Sequence, residues 1–243
     1  MVLSGKVVLI TGGSKRVGRA MALAFAQHGY RVAITYRTSA AAAKDIVREI
    51  DSLDGKAKAY QCDVRKLSSV KQLFTKIKQE YKRLDVLINN ASLYQTTEFE
   101  RITPAQWENT LLTNVLGPYL VSQAAISMLR KSNGRIVNLG SLGSLKPWTT
   151  HAHYCASKSA LHMLSLTMAK AYAPDVAVNC VAPGMIEFDG EKNSALNKRF
   201  AKKTPMQRNG TTEDVLSAVH YFANCPKFIT GQIITVDGGL GLT

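Results

Sequence analysis

The sequence predicts an α/β protein: a doubly wound, parallel seven-stranded sheet with helices on both faces. Three observations carry this reading. Apolar, β-branched runs alternate with helical patterns from end to end. Val7-Val8-Leu9-Ile10 and Val86-Leu87-Ile88 are continuously hydrophobic, as strands covered on both faces are. No linker, low-complexity stretch or repeat breaks the rhythm over 243 residues, a length that suits one domain spanning 1–243.

The first strand is expected over Lys6–Thr11, turning through glycines into a helix over Gly18–His28. A second strand, Arg31–Tyr36, is followed by a helix over Ser39–Leu53, and a third, Lys56–Cys62, by a helix over Leu67–Tyr81. The fourth strand, Leu84–Asn89, leads to one long helix over Pro104–Leu129. The fifth, Gly134–Gly140, precedes a helix over Ala152–Tyr172, and the sixth, Val176–Ala182, precedes helices over Leu196–Lys203 and Thr212–Asn224. Gln232–Val236 closes the sheet as its seventh strand.

Hydrophobic content of 46% and charged content of 20% describe a globular protein that stays in water. No apolar run reaches the roughly 18 residues needed to span a bilayer, and Met1 to Lys6 carry no leader pattern, so a cytoplasmic protein is expected. Cys62, Cys155, Cys180 and Cys225 are widely spaced, without zinc-ligand partners, and read as structural free thiols, with neither metal nor disulfide expected. The formal charge is +14, concentrated in Lys15 to Arg19, Arg65 to Arg83 and Lys192 to Arg208. Without an aromatic-interleaved basic run or a nucleic-acid module, nucleic acid is not an expected partner.

Directly after the first strand, Thr11-Gly12-Gly13-Ser14-Lys15-Arg16-Val17-Gly18 opens a helix. Free backbone N–H groups and the positive dipole end at such a turn suit a pyrophosphate. The second strand ends in Thr35-Tyr36-Arg37-Thr38-Ser39, without the acid that would hold free ribose hydroxyls and repel a 2′-phosphate. Further on, Tyr154 and Lys158 stand four apart in a helix, which places them side by side. An ammonium beside a phenol is expected to lower its pKa from about 10 toward neutrality and make a usable proton donor.

Taken together these segments resemble the short-chain dehydrogenase/reductase family, whose turn reads Thr-Gly-x-x-x-Gly-x-Gly. Thr11, Gly12 and Gly18 match, while Arg16 replaces the middle glycine and brings a guanidinium that can meet phosphate as a side chain. The resemblance implies a Rossmann-type fold and NADP(H), with Lys15 and Arg37 facing the 2′-phosphate and Ser14, Val17, Tyr36 and Ser39 nearby. It makes Asp63 and Val64 the adenine contact, with Asp63 accepting from the exocyclic amine. Asn90, Ala91 and Ser92 would lie beside the adenosine ribose, and Pro183, Gly184 and Ile186 would also bind the cofactor. A threonine common a few residues later in the family is Phe188 here.

The catalytic set implied is Asn114, Ser141, Tyr154 and Lys158. Ser141 would hydrogen-bond the substrate oxygen while Tyr154 delivers the proton. Lys158 would lower the Tyr154 pKa and hold the nicotinamide ribose, and Asn114 would anchor a water linking Lys158 to solvent. Ser144 is a nearby substitute for Ser141, and His151 and His153 are expected to be packing or rim residues. The resemblance also implies a homotetramer paired through the helices Pro104–Leu129 and Ala152–Tyr172, and a substrate lid near 187–208 carrying Lys192, Lys198, Arg199, Lys202 and Lys203, suited to an anionic substrate.

For the substrate two features compete. The Lys15-Arg16 turn, Asn90-Ala91-Ser92 and an aromatic at Tyr94 are similar to pteridine reductases, with Arg16 and Tyr94 orienting a pterin and Phe188 nearby. Those enzymes usually carry an Asp where this chain has Ser141, and a serine suits a carbonyl oxygen. Carbonyl reduction, as in 3-oxoacyl-thioester reductases, is therefore preferred, with pteridine or dihydrofolate reduction next. A catalytically idle cofactor-sensing or nucleic-acid-binding protein has no need of all four catalytic groups.

Overall fold

A computed structural model describes residues 5–188 and 194–243. Residues 1–4 and 189–193 lie outside the described residues, among them Asp189 and Lys192 of the expected lid. The strands are β1 (Val7–Ile10), β2 (Arg31–Tyr36), β3 (Lys56–Gln61), β4 (Val86–Asn89), β5 (Arg135–Leu139), β6 (Ala177–Pro183) and β7 (Ile233–Val236). The helices are α1 (Arg16–Gln27), α2 (Ala40–Ser52), α3 (Leu67–Tyr81), α4 (Pro104–Leu111), α5 (Gly117–Ser132), α6 (Ala152–Tyr172), α7 (Ala195–Lys203) and α8 (Thr212–Asn224). All pairings are parallel, in the order β3-β2-β1-β4-β5-β6-β7.

Alternation along β1 explains the layering. Val7 and Leu9 join a core with Leu73 and Ile77 of α3, Val121 and Ala125 of α5, and Met168 of α6. Val8 and Ile10 face the other way, into a core with Phe25 of α1, Ile46 and Ile50 of α2, and Val219 and Phe222 of α8. At the edge, β3 is only half covered, and its exposed Lys56 and Lys58 discourage pairing with another sheet. Among the described residues no helix is long and apolar enough to cross a membrane.

The expected helix Pro104–Leu129 is present but not regular throughout. A capping box at Thr103 and Gln106 starts α4, which ends at Leu111, and a π-helical turn over Leu112–Leu116 precedes α5. Periodicity cannot show such a turn, since apolar positions recur across it; it widens the helix by one residue and delivers Asn114 inward. The other expected elements shift by a few residues at their ends.

A ladder of buried amides ties the sheet to two helices. Asn89 Nδ2 donates to Asn138 Oδ1 at 2.8 Å and to Ser122 Oγ of α5 at 3.0 Å, and Asn138 Nδ2 donates to Ser165 Oγ of α6 at 2.8 Å. Asn138→Ala leaves buried groups on both neighbours unmatched and is expected to destabilise the fold by about 1–3 kcal/mol. A lowered urea midpoint with an unchanged slope is the expected result.

Candidate active site

The connections from β1 and β4 leave to opposite faces, so a crevice opens between these strands at their carboxyl ends. A cleft of about 460 Å³ occupies it. Its floor is the glycine turn. Gly18 admits no side chain, because a Cβ there would stand 2.3 Å from the Gly12 carbonyl oxygen and 2.7 Å from Asn90 Nδ2. Asn90 fastens the turn, donating to the carbonyls of Thr11 at 2.9 Å and Gly12 at 3.0 Å, while Thr11 Oγ1 accepts from the N–H groups of Asn90 and Ala91. Position 16, a glycine in the family, is held here by an arginine in a glycine-like backbone conformation. Arg16 adopts the left-handed conformation a glycine favours, with φ 48°, and its guanidinium lies 4.9 Å above the Phe188 ring.

The residues expected around a nucleotide gather on this wall: Gly12, Lys15, Arg16, Val17 and Gly18 from the turn, Tyr36, Arg37 and Ser39 after β2, and Asp63 and Val64 after β3. Asn90, Ala91 and Ser92 line it beside them, as does Pro183. Ser14 is buried within the turn, Gly184 packs on Asp237, and Ile186 pairs with Gly210 outside the wall. Arg65 also lines the cleft and went unpredicted, one more cation within a basic stretch. Its Nη2 donates to Asp63 Oδ2 at 2.6 Å and its Nε to Oδ1 at 2.9 Å, and this bonding holds the Asp63 carboxyl below its usual range. Arg37 adds to that lowering. Asp63 thus already serves an arginine in addition to any base amine.

At the other end of the cleft, Tyr154 and Lys158 project from α6, both buried. The pKa lowering expected from their adjacency does not occur. Burial pushes the Tyr154 phenol up to about 12, with the nearby Ser141 hydroxyl working the other way. The Lys158 ammonium stands over the Tyr154 ring, 5.6 Å from its centre, and donates at 2.8 Å to the Leu139 carbonyl. Burial lowers Lys158 to about 8. Ser141 follows β5, its hydroxyl accepting from the N–H of Gly143 at 3.1 Å. The substitute, Ser144, turns away: its hydroxyl bonds the Ser141 carbonyl at 2.6 Å and reaches His162.

Asn114 hangs from the π turn with its carboxamide fully engaged. Oδ1 accepts from Leu93 N–H at 2.7 Å and Ser92 Oγ at 3.1 Å, and Nδ2 donates to the Leu93 carbonyl at 3.0 Å and Ser157 Oγ at 2.9 Å. An amide has two donor hydrogens and two acceptor positions, so this side chain has none left for a water. It joins the strand-β4 loop to α6.

Aromatic rings wall the reacting end. Tyr94 meets Tyr154 edge-on at 4.9 Å and stacks on His151 at 4.7 Å, while Trp148 lies parallel to Tyr154 at 6.2 Å. Trp148 was missed, being a lone aromatic in a loop without periodicity. His151 bonds Thr96 and Thr150, and burial lowers its pKa, as it does that of His153. Of the expected lid cations, Lys198, Arg199, Lys202 and Lys203 stand exposed on α7.

A family model described as enoyl-(acyl carrier protein) reductase matches residues 13–241. A 3-oxoacyl-[acyl-carrier-protein] reductase of Synechocystis is 35% identical over 243 residues, covering 98% of each chain. Among solved structures, a Serratia marcescens short-chain dehydrogenase/reductase mutant superposes with a TM-score of 0.93 at 29% identity, covering 99% of this chain and 100% of its own. A gluconate 5-dehydrogenase from Burkholderia cenocepacia, in complex with NADP and tartrate, gives 0.91 at 27% identity, covering 99% and 97%.

The strained turn is open to test. Arg16→Ala keeps the left-handed backbone and loses the contact with Phe188, whereas Arg16→Gly loses the contact and relieves the backbone. The glycine variant is therefore expected to be more stable than the alanine variant by about 1 kcal/mol in urea unfolding.

Proposed function

The chain belongs to the short-chain dehydrogenase/reductase family, and we propose that it is an NADPH-dependent reductase of carbonyl compounds, acting on a 3-oxoacyl thioester or a similar ketone. The observation that carries this is the buried Tyr154 phenol at the end of the cleft, with the Lys158 ammonium over its ring and the buried Ser141 hydroxyl close enough to act on its pKa. The turn at Gly18, with the exposed cations Lys15 and Arg37 and no acid after β2, fits a nucleotide with a 2′-phosphate.

Bound NADPH supplies the hydride. Tyr154 holds its proton at neutral pH, because its pKa stands near 12, and so has one to give to the carbonyl oxygen as a C–H bond forms. Ser141 donates a hydrogen bond to the same oxygen while negative charge develops there. The Lys158 ammonium, above the Tyr154 ring, stabilises the tyrosinate left behind. Asn114 positions the Ser92-Leu93 segment and Ser157 around this centre. A second reading, reduction of a pteridine or dihydrofolate ring, draws support from Arg16 stacked on Phe188 in a cleft that Tyr94 also lines. Ser141, which cannot supply a carboxyl proton, speaks for the carbonyl.

Oxidation of NADPH and NADH is to be followed against acetoacetyl thioester, a simple diketone, dihydropterins and dihydrofolate. Turnover of the thioester or ketone with NADPH preferred is expected, and Tyr154→Phe should lower kcat by on the order of 10²-fold. Turnover of pterins alone would transfer the assignment to the second reading; no oxidation with any substrate would refute both.

A pH dependence follows from Lys158. Its ammonium is present below pH about 8 and is lost as pH rises through that value, so kcat/KM for reduction is expected to hold below about 8 and fall above it. Lys158→Arg, whose guanidinium does not discharge, should remove that limb from the remaining activity.

A further inference from the structure

The stripe that carries Tyr154 and Lys158 continues one turn further along α6, to His162. All three side chains meet the stretch from Leu139 to Ser144. Tyr154 lies close to the Ser141 hydroxyl, Lys158 donates to the Leu139 carbonyl, and both ring nitrogens of His162 lie within reach of Ser144 Oγ, at 2.8 and 3.1 Å. That hydroxyl has one hydrogen, and it goes to the Ser141 carbonyl at 2.6 Å. The bond between Ser144 and His162 is therefore donated by the imidazole. The ring is buried, and burial together with the charge of Lys158 holds its pKa near 4, so it is neutral, with one N–H, at physiological pH. Gly140 leaves no slack between these anchors. A Cβ there would stand 2.3 Å from His162 Nε2 and 2.8 Å from Cys180 Sγ, and its N–H donates to the Val181 carbonyl at 2.7 Å.

We propose that Ser144 and His162 are positioning residues for the reduction. The relay from the imidazole N–H through the Ser144 hydroxyl to the Ser141 carbonyl holds the peptide that bears the Ser141 hydroxyl and aims that hydroxyl, with Tyr154, at the substrate oxygen. This rests on the reading of Ser141 as a donor to that oxygen.

Ser144→Ala and His162→Leu are each expected to lower kcat by on the order of ten- to a hundredfold, as misplacement of a catalytic group does, with KM for NADPH unchanged. The double variant should be no worse than the more affected single one, because both break the same relay. His162→Asn or His162→Gln restores a side-chain N–H and should recover most of the rate, while the thermal midpoints follow no such pattern. In a Ser141→Ala background, His162→Leu should have no further effect on kcat. Normal kcat in Ser144→Ala, losses that multiply in the double variant, or no recovery with either amide would overturn the relay. Should His162→Leu not fold, Ser144→Ala and the two amide variants decide alone. A normal rate in Ser141→Ala itself would instead sink the reading of the site, so the two failures are distinguishable.

Discussion

Everything in this molecule follows from a sheet whose central strands are covered on both faces. Val7 to Ile10 are wholly buried, and alternate side chains need apolar partners above and below. Helices must therefore lie on both sides, and crossovers of one hand place them there only if the winding reverses somewhere. It reverses where β1 meets β4, and there alone the strand ends open between diverging connections. Asn90 spans that gap and bonds the turn on the far side, so the glycine turn and the strand-β4 segment are fastened to each other.

The same burial sets the chemistry of the inner end. It raises Tyr154 and Cys180 and lowers Lys158 and His162, so every titratable group there is pressed toward its uncharged form. A phenol in such surroundings keeps its proton until a reaction draws it away. The positive charge of the chain lies mostly outside this zone. Lys15, Arg16 and Arg37 line the outer part of the cleft, and the α7 cations stand in solvent.

Much of this was legible in residue order. Strands with continuous apolar runs, the glycine turn and the Tyr154/Lys158 pair each have a local signature, and the structure brings Tyr154, Lys158 and the expected nucleotide wall to one cleft. Hidden from sequence were features that depend on what a side chain meets across space. Lys158 reads as a partner of the phenol, yet its nearest acceptor is a strand carbonyl. Four protein groups claim the Asn114 carboxamide, contacts that no local pattern in the sequence announces. Arg65, Trp148 and His162 lie in stretches that look like a charged face, a loop and a helix interior. Their roles come from neighbours 2 to 44 positions away.

The π turn over Leu112–Leu116 gives its helix an unusual sensitivity to length. Such a turn is an α-helix carrying one residue too many. Losing that residue would make the helix regular, but it would also swing α4 about 100° around the common axis relative to α5. Thr110, now buried, would leave the interior, the half-exposed Trp107 would turn to a new side, and Asn114 would no longer reach Leu93. Exchange of one side chain for another in this stretch disturbs a contact; a frame-preserving loss of a single codon would re-phase a whole helix. Between Thr103 and Asn133 the number of residues is thus under tighter constraint than their identity.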